Sequence, residues 1–426
     1  MKNMIFKNWK NDIQIAFLSA FFAIPQAFAF ARLAGLPIIS AVMACIIPAA
    51  IAIVISGEYF ILTGPSAVIS IALYTGLTQI ATANTMHYYE LTMIITLMMG
   101  VLQYLIVKTN ILKFLMSISY WVNRGTIAGL GFLIIFSQFP IIFGNIDQNN
   151  YNFLSKAYYA ISHRWDFLNI AIFLSTFILF SMIEKIKILK NLKFAIGVIL
   201  VSLILYLFHI HHFTLGKTNF TNIIPHWSFE NISNIDWLIM LKISFILAII
   251  GIMQSLLVDS FLKKEGIKNI NYEKESVAQG IANIFSAFTT GFPVSASINR
   301  SLAHYYAGAK NIHSSIYSFI MIIFLVLLLA PFTSMLSLPA LSAMICAVAY
   351  PMITPMIDDK AKDKTHITLA FCLITLFAGI GYSILLGIFH VLIKKIYYHF
   401  DKNFRSSSRV VIEEEHVLEN KEEDNN

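Results

Sequence analysis

Gly291-Phe292-Pro293-Val294-Ser295-Ala296-Ser297-Ile298-Asn299-Arg300 follows a long apolar run, and a shorter version of it, Gly64-Pro65-Ser66-Ala67-Val68-Ile69-Ser70, occurs in the first half of the chain. Proline has no N–H to donate, and it pushes the preceding residue to extended backbone. Each stretch is therefore predicted to be a short extended segment followed by a half-helix. Pro65 and Pro293 are 228 residues apart, and Gln26 and Gln254 share that spacing. Seven apolar elements separate the members of each pair, and an odd repeat unit places its second copy upside down in a membrane. Interrupted segments at matching positions of an inverted repeat point to a transporter's substrate site.

Composition requires that membrane. Of 426 residues 58% are apolar and 12% charged, where a soluble domain carries about 25% charged residues; a soluble enzyme is excluded. Apolar runs fall at about 12–35, 37–56, 60–79, 88–107, 126–143, 167–184, 194–209, 236–258, 276–290, 296–307, 313–331, 333–356 and 366–393. A spanning helix takes about 20 residues, so the run 296–307 is too short to span. The last run is too long for one helix and carries Gly379 and Gly381 at its middle, which predicts a hairpin of two short helices. The result is an all-α polytopic membrane protein of about fourteen elements in a seven-plus-seven inverted repeat, with elements 3 and 10 as broken half-helices.

Lysines at 2, 7, 10, 108, 113, 185, 187, 190, 193, 263, 264, 268, 310, 360, 362, 364, 394 and 395 gather on one side of this topology, and the other side holds little more than Lys156, Arg164 and Lys217. Because basic residues accumulate on the cytoplasmic side, both termini are expected there, in the cell's inner (plasma) membrane. The expected organisation is a cytoplasmic N-terminus over 1–11, a transporter domain over 12–398 with repeats at about 12–209 and 236–398, and an acidic tail over 399–426 too poor in apolar residues to form a core. The net charge of +7 reads as orientation in the membrane and not as a nucleic-acid surface. Cys45, Cys346 and Cys372 lie inside apolar runs and offer no disulfide framework. His209, His211 and His212, with His226 nearby, form the single metal-like cluster, and their spacing at the start of an outward loop reads as surface. Nucleophile elbow, phosphate loop and zinc-protease motifs are absent, so no enzyme, cofactor or metal is expected.

The chemistry concentrates at the broken segments. Half-helices starting near Ser66 and Ser295 are expected to face each other near the midplane, each offering free N–H groups and a partial positive charge, which together make an anion site. Arg300 falls in the first turns of the second half-helix, and a buried guanidinium costs several kcal/mol unless it is paired. No carboxylate is close to it in sequence. Its partner is read as a substrate anion, the alternatives being a pair with Glu58 or a guanidinium that reaches the cytoplasmic face. Gln26 and Gln254 are polar on apolar helices and either line the same site or hydrogen-bond between helices. Phe30, one turn after Gln26, lines the cavity or simply packs.

At these residues the chain resembles the sulfate permease (SulP) family of anion transporters. Ile24-Pro25-Gln26-Ala27-Phe28-Ala29-Phe30-Ala31-Arg32-Leu33-Ala34-Gly35-Leu36-Pro37 is similar to the family's first helix, and Leu62-Thr63-Gly64-Pro65-Ser66-Ala67-Val68-Ile69-Ser70 to its third element. Gln279-Gly280-Ile281-Ala282-Asn283 and Gly291 to Leu302 are similar to its ninth and tenth. The resemblance implies a core of elements 1 to 4 and 8 to 11 that moves like an elevator against a gate, a fold shared with uracil permeases. By the same likeness Gln26 and Phe30, Ser66 and Ala67, and Ile298, Asn299 and Arg300 line the anion site. It implies a secondary carrier, symporter or antiporter, of sulfate, chloride, bicarbonate or a dicarboxylate. Its expected partners are the small anion, the lipid bilayer and, since the family is commonly dimeric, a second copy. Three features depart from the family. The segment after the last helix is too short for the cytoplasmic STAS domain, Gln254 stands where several bacterial members have an acidic residue, and Glu58 stands where relatives often have a basic one. Rival functions are a nucleobase permease, disfavoured by Gln254 and Arg300, and an anion channel using the same pocket.

Overall fold

Trp9–Ala34 forms one continuous helix, α1, with Pro25 inside it. The computed structural model describes residues 9–109, 120–145, 153–186, 189, 192–214, 235–264, 266–267, 270–354 and 365–402. After α1 come α2 (Ile38–Ala44), α3 (Ile47–Ser56), β1 (Thr63–Gly64), α4 (Ala67–Leu77) and α5 (Met86–Lys108). The chain continues through α6 (Tyr120–Ile142), α7 (Phe153–Ser162), α8 (Phe167–Glu184) and α9 (Lys193–Leu207). The second half holds α10 (Trp237–Lys264), α11 (Tyr272–Thr289), β2 (Ser295–Ala296), α12 (Ile298–Tyr306), α13 (Ile312–Leu329), α14 (Leu338–Ile353), α15 (Thr365–Phe377) and α16 (Ile380–Lys402). Among the described residues six helical spans are long and apolar enough to cross a membrane, one of them, Ile38–Ser56, made of α2 and α3 together.

Both proline segments are extended stretches that lead into short helices, α4 and α12. The expected hairpin is present as α15 and α16, hinged at Gly379, whose φ of 94° a side chain rarely adopts. Some details differ from expectation. The run 37–56 is two helices, broken at Cys45 and Ile46, because Pro48 opens α3 without an N–H to join it to α2. The second half-helix begins at Ile298 with Ser297 as its cap, two residues later than expected, because Ser295 and Ala296 are held extended by β1. A ten-residue helix, α7, fills part of a segment read as loop. No helix breaker interrupts Ile396-Tyr397-Tyr398-His399-Phe400, and α16 runs to Lys402, into the first residues of the expected tail; residues 403–426 lie outside the described residues.

Packing sorts the elements into two groups. α1 to α5 pack chiefly on α10 to α13, with α5 on α11, α1 on α13 and α3 on α11; α6 to α9 pack on α14 to α16. Contacts between the groups are fewer and include Phe22 on α1 against Phe194 on α9, with ring centroids 6.2 Å apart. Lys156 Nζ on α7 also donates to the Tyr74 hydroxyl on α4 at 3.2 Å. Polarity is distributed as a bilayer demands. Leu238, Phe324, Leu327 and Phe377 are exposed, while Gln26, Gln254, Glu275 and Arg300 are buried.

Candidate functional site

β1 and β2 pair antiparallel, Thr63 with Ala296 and Gly64 with Ser295, so the two broken segments meet as a two-residue sheet. Backbone inside a membrane must find partners within the protein, and side chains from α5, α11 and α12 supply them. The Asn283 amide receives the Val294 N–H at 2.7 Å and donates to the Val294 carbonyl at 2.9 Å. Ser286 Oγ donates to the Phe292 carbonyl and Thr96 Oγ1 to that of Gly291. Across the sheet, Ser301 Oγ accepts from the Leu62 N–H at 2.9 Å and the Ser297 N–H donates to the Leu62 carbonyl at 3.0 Å.

This scaffold sets the half-helix starts side by side. Ser66 caps α4, its Oγ accepting from the Ile69 N–H. The same hydroxyl donates to Gln254 Oε1 at 2.9 Å, Ser295 Oγ donates to that oxygen too, and the two hydroxyls lie 3.1 Å apart. Ser297 makes no side-chain cap, which leaves the first N–H groups of α12 without one. Helix N-termini carry partial positive charge, and here two of them converge on a neutral amide.

Arg300 lies in the first turn of α12 and is 3% exposed. Its Nη1 donates to the Thr63 carbonyl at 3.1 Å and to Cys45 Sγ at 3.4 Å, and its Nε has no partner. No described carboxylate forms an ion pair with it. Glu58, the alternative partner, instead accepts from the Asn271 N–H at 3.2 Å. Gly64 makes the approach of the guanidinium possible, since a Cβ there would overlap Arg300 Nη1.

The two glutamines of the repeat behave differently. Gln254 does bond between elements, through Oε1, while its Nε2 donates to no described residue. Gln26 is 1% exposed and neither of its amide atoms has a partner. Ala67 opens α4 and is buried. Phe30 packs in the main apolar core. Ile298 and Asn299 open α12, and their side chains lie outside the described residues. His209, His211 and His212 lie at the end of α9, away from this sheet, and line a surface recess with Tyr206 and Thr214; His226 lies outside the described residues.

Several participants have no role assigned by the sequence reading: Asn283, Thr63 and Ser301 stand there only as members of quoted motifs, whereas Ser295 is read as a half-helix start. His304, one turn after Arg300, is fully buried between hydroxyls: Nδ1 is 2.7 Å from Ser19 Oγ, and Nε2 is 3.0 Å from Ser315 Oγ and 3.2 Å from Ser314 Oγ. It ties α12 to α1 and α13.

The sulfate permease family model matches residues 10–375. Among curated proteins the chain is 24% identical over 399 residues to the probable sulfate transporter 4.2 of Arabidopsis thaliana, covering 89% of this chain and 58% of that protein. It is 24% identical over 368 residues to the putative sulfate transporter YbaR of Bacillus subtilis (strain 168), covering 82% of this chain and 68% of that one. The chain spans a little over half the length of the plant relative. Among solved structures, the transmembrane domain of the cyanobacterial bicarbonate transporter BicA aligns with a TM-score of 0.77 at 16% identity, over 89% of this chain and 98% of that one. SLC26A9 aligns with a TM-score of 0.80 at 17% identity, over 92% of this chain and 66% of that one. These likenesses show the fold, the seven-plus-seven arrangement of core and gate.

Proposed function

The chain belongs to the sulfate permease family, and from that premise we propose that it is a secondary transporter of small anions, binding its substrate between the half-helix starts of α4 and α12 beside Arg300. The observation that carries this is a buried guanidinium with no carboxylate partner among the described residues, placed where two helix N-termini converge. A buried cation is stable only if something neutralises it, and a fork of N–H donors beside helix N-termini matches an oxyanion. Gln26, with both amide atoms unbonded, and the Gln254 NH2 are the neutral groups that would complete the ligand's shell. Relatives named as sulfate transporters, and a structural neighbour named as a bicarbonate transporter, put sulfate, chloride, bicarbonate and dicarboxylates first among the candidates. The transporter domain spans 12–398, lies in the plasma membrane with cytoplasmic termini, and works as a homodimer with elevator-type alternating access; no catalytic role is proposed.

Thermal unfolding of the detergent-purified protein against sulfate, chloride, bicarbonate, oxalate, fumarate and uracil tests the reading, because a ligand that binds only the folded state raises stability with concentration. One anion should stabilise the wild type, and Arg300→Ala should fold but lose that response. Stabilisation by uracil alone would establish a nucleobase permease instead, and an anion response unchanged in Arg300→Ala would remove Arg300 from the site.

A further inference from the structure

Cys45 stands at the break between α2 and α3, buried in the main apolar core, and its Sγ accepts from Arg300 Nη1 at 3.4 Å. The same nitrogen donates to the Thr63 carbonyl at 3.1 Å. A guanidinium has five N–H donors, two on each terminal nitrogen and one on Nε. Two acceptors therefore occupy Nη1 completely, while Nε and Nη2 bond to no described residue. The unspent donors share one edge of the planar group. The Nε–H and one N–H of Nη2 point the same way there, as the fork that grips two oxygens of one oxyanion at once.

Local structure puts the thiol at this point. Pro48 has no N–H to join α3 to α2, so the chain turns at Cys45 and Ile46, whose N–H groups donate back to the Val42 and Met43 carbonyls. A Cβ on Gly64 would lie 3.7 Å from Cys45 Sγ and would overlap Arg300 Nη1, so the missing side chain of Gly64 is the space in which sulfur and guanidinium meet. The kind of acceptor matters as much as its place. A thiol is a weak, neutral acceptor that buries like a small hydrophobe, and the Thr63 carbonyl is neutral too. Together they orient Nη1 and leave the positive charge uncancelled. A carboxylate in either place would pair with the cation and compete with a substrate.

We propose that Cys45 is a positioning residue that sets the selectivity of the anion site: with the Thr63 carbonyl it pins Nη1, so that the Nε–Nη2 edge is held for the substrate and oxyanions are favoured over halides. The inference rests on the anion reading of Arg300. An oxyanion has two oxygens to place on two parallel donors, whereas a halide is a single round acceptor and gains little from the fork. Without an acceptor at residue 45, one Nη1 hydrogen is left unpaired in the apolar core. The guanidinium then loses its fixed orientation but keeps its charge, which costs an oxyanion more than a halide.

The test reads affinities from thermal stabilisation of the purified full chain, with sulfate, bicarbonate and oxalate as oxyanions and chloride as the halide. Cys45→Ala should bind the oxyanion that stabilises wild type most about tenfold more weakly, the worth of one charge-assisted hydrogen bond, with chloride affinity nearly unchanged. Cys45→Ser, close in size to Cys45→Ala but with an acceptor oxygen, should restore most of the loss. A thiol that only fills space predicts instead that the two variants bind alike. That result overturns the proposal, as does an equal loss for oxyanion and chloride. Should Cys45→Ala not fold, wild type with isotope-labelled arginine decides: the Nε–H nuclear magnetic resonance signal that Arg300→Ala lacks must shift when the oxyanion binds, and a signal that does not move overturns the proposal. Stabilisation of wild type by chloride alone also overturns it and leaves the anion reading standing. A wild type that none of these anions stabilises overturns the anion reading and this inference with it.

Discussion

Gln26 sits in the interior with both amide atoms unbonded, and each unsatisfied buried polar group costs about 1–3 kcal/mol. A protein that carries this cost without function would gain by losing it. Gln26→Met keeps the length and removes both orphans, so the ligand-free protein should unfold at a higher temperature, while the stabilisation given by the preferred anion shrinks. A lower melting temperature for the ligand-free variant would show that Gln26 has a structural partner. Gly64 makes the complementary case. A methyl group there overlaps Arg300 Nη1, and overpacking of this kind costs about 1–3 kcal/mol. Gly64→Ala should displace the guanidinium without removing its charge, weakening anion binding by at least tenfold; a titration that matches wild type would place the guanidinium's work elsewhere.

The paired segments β1 and β2 endure in an apolar interior because their polar backbone is matched, chiefly by α11. Asn283 alone serves the N–H and the carbonyl of Val294. Asn283→Ala would orphan both at about 1–3 kcal/mol each, so its unfolding midpoint should drop far more than that of Ser286→Ala, which frees one carbonyl; equal drops would mean that the amide is not the clamp. This division explains what could be read beforehand. Proline and glycine act within a few residues, so Pro65 and Pro293 announced two broken elements, and Gly379 and Gly381 announced a hairpin. The pairing of Thr63 with Ala296, the clamp from Asn283 and the meeting of Ser66 and Ser295 on Gln254 are contacts between distant segments, and no local pattern encodes them. Likewise Gln26 and Gln254 look equivalent at matched positions of the repeat, and only the packing around them makes one a bridge and the other an orphan. The break between α2 and α3 was hidden because the segment is apolar throughout, with Pro48 as its one signal.

Alternating access demands that one group of elements move as a body relative to the other, and the packing permits it. The half-helices and Arg300 belong to the group built from α1 to α5 and α10 to α13, so the proposed anion site would travel as a body and need no rearrangement of its own hydrogen bonds. The contacts crossing between the groups include two of a kind that can slide or exchange, a ring contact between Phe22 and Phe194 and a lysine to tyrosine hydrogen bond from Lys156 to Tyr74. If transport requires this motion, fastening the groups should stop flux without touching the site. Phe22→Cys combined with Phe194→Cys, joined in proteoliposomes by a cleavable bifunctional thiol reagent, should abolish anion counterflow while the anion still stabilises the protein, and cleavage of the linker should restore exchange. The native thiols at Cys45, Cys346 and Cys372 are buried, so the unmodified chain treated in parallel gives the background. A channel would answer differently, since a pore that conducts through a fixed pathway keeps its flux when the two groups are tied. Continued flux in the crosslinked protein would therefore replace the elevator with a channel, and would do so without disturbing the case for Arg300 as the group that holds the anion.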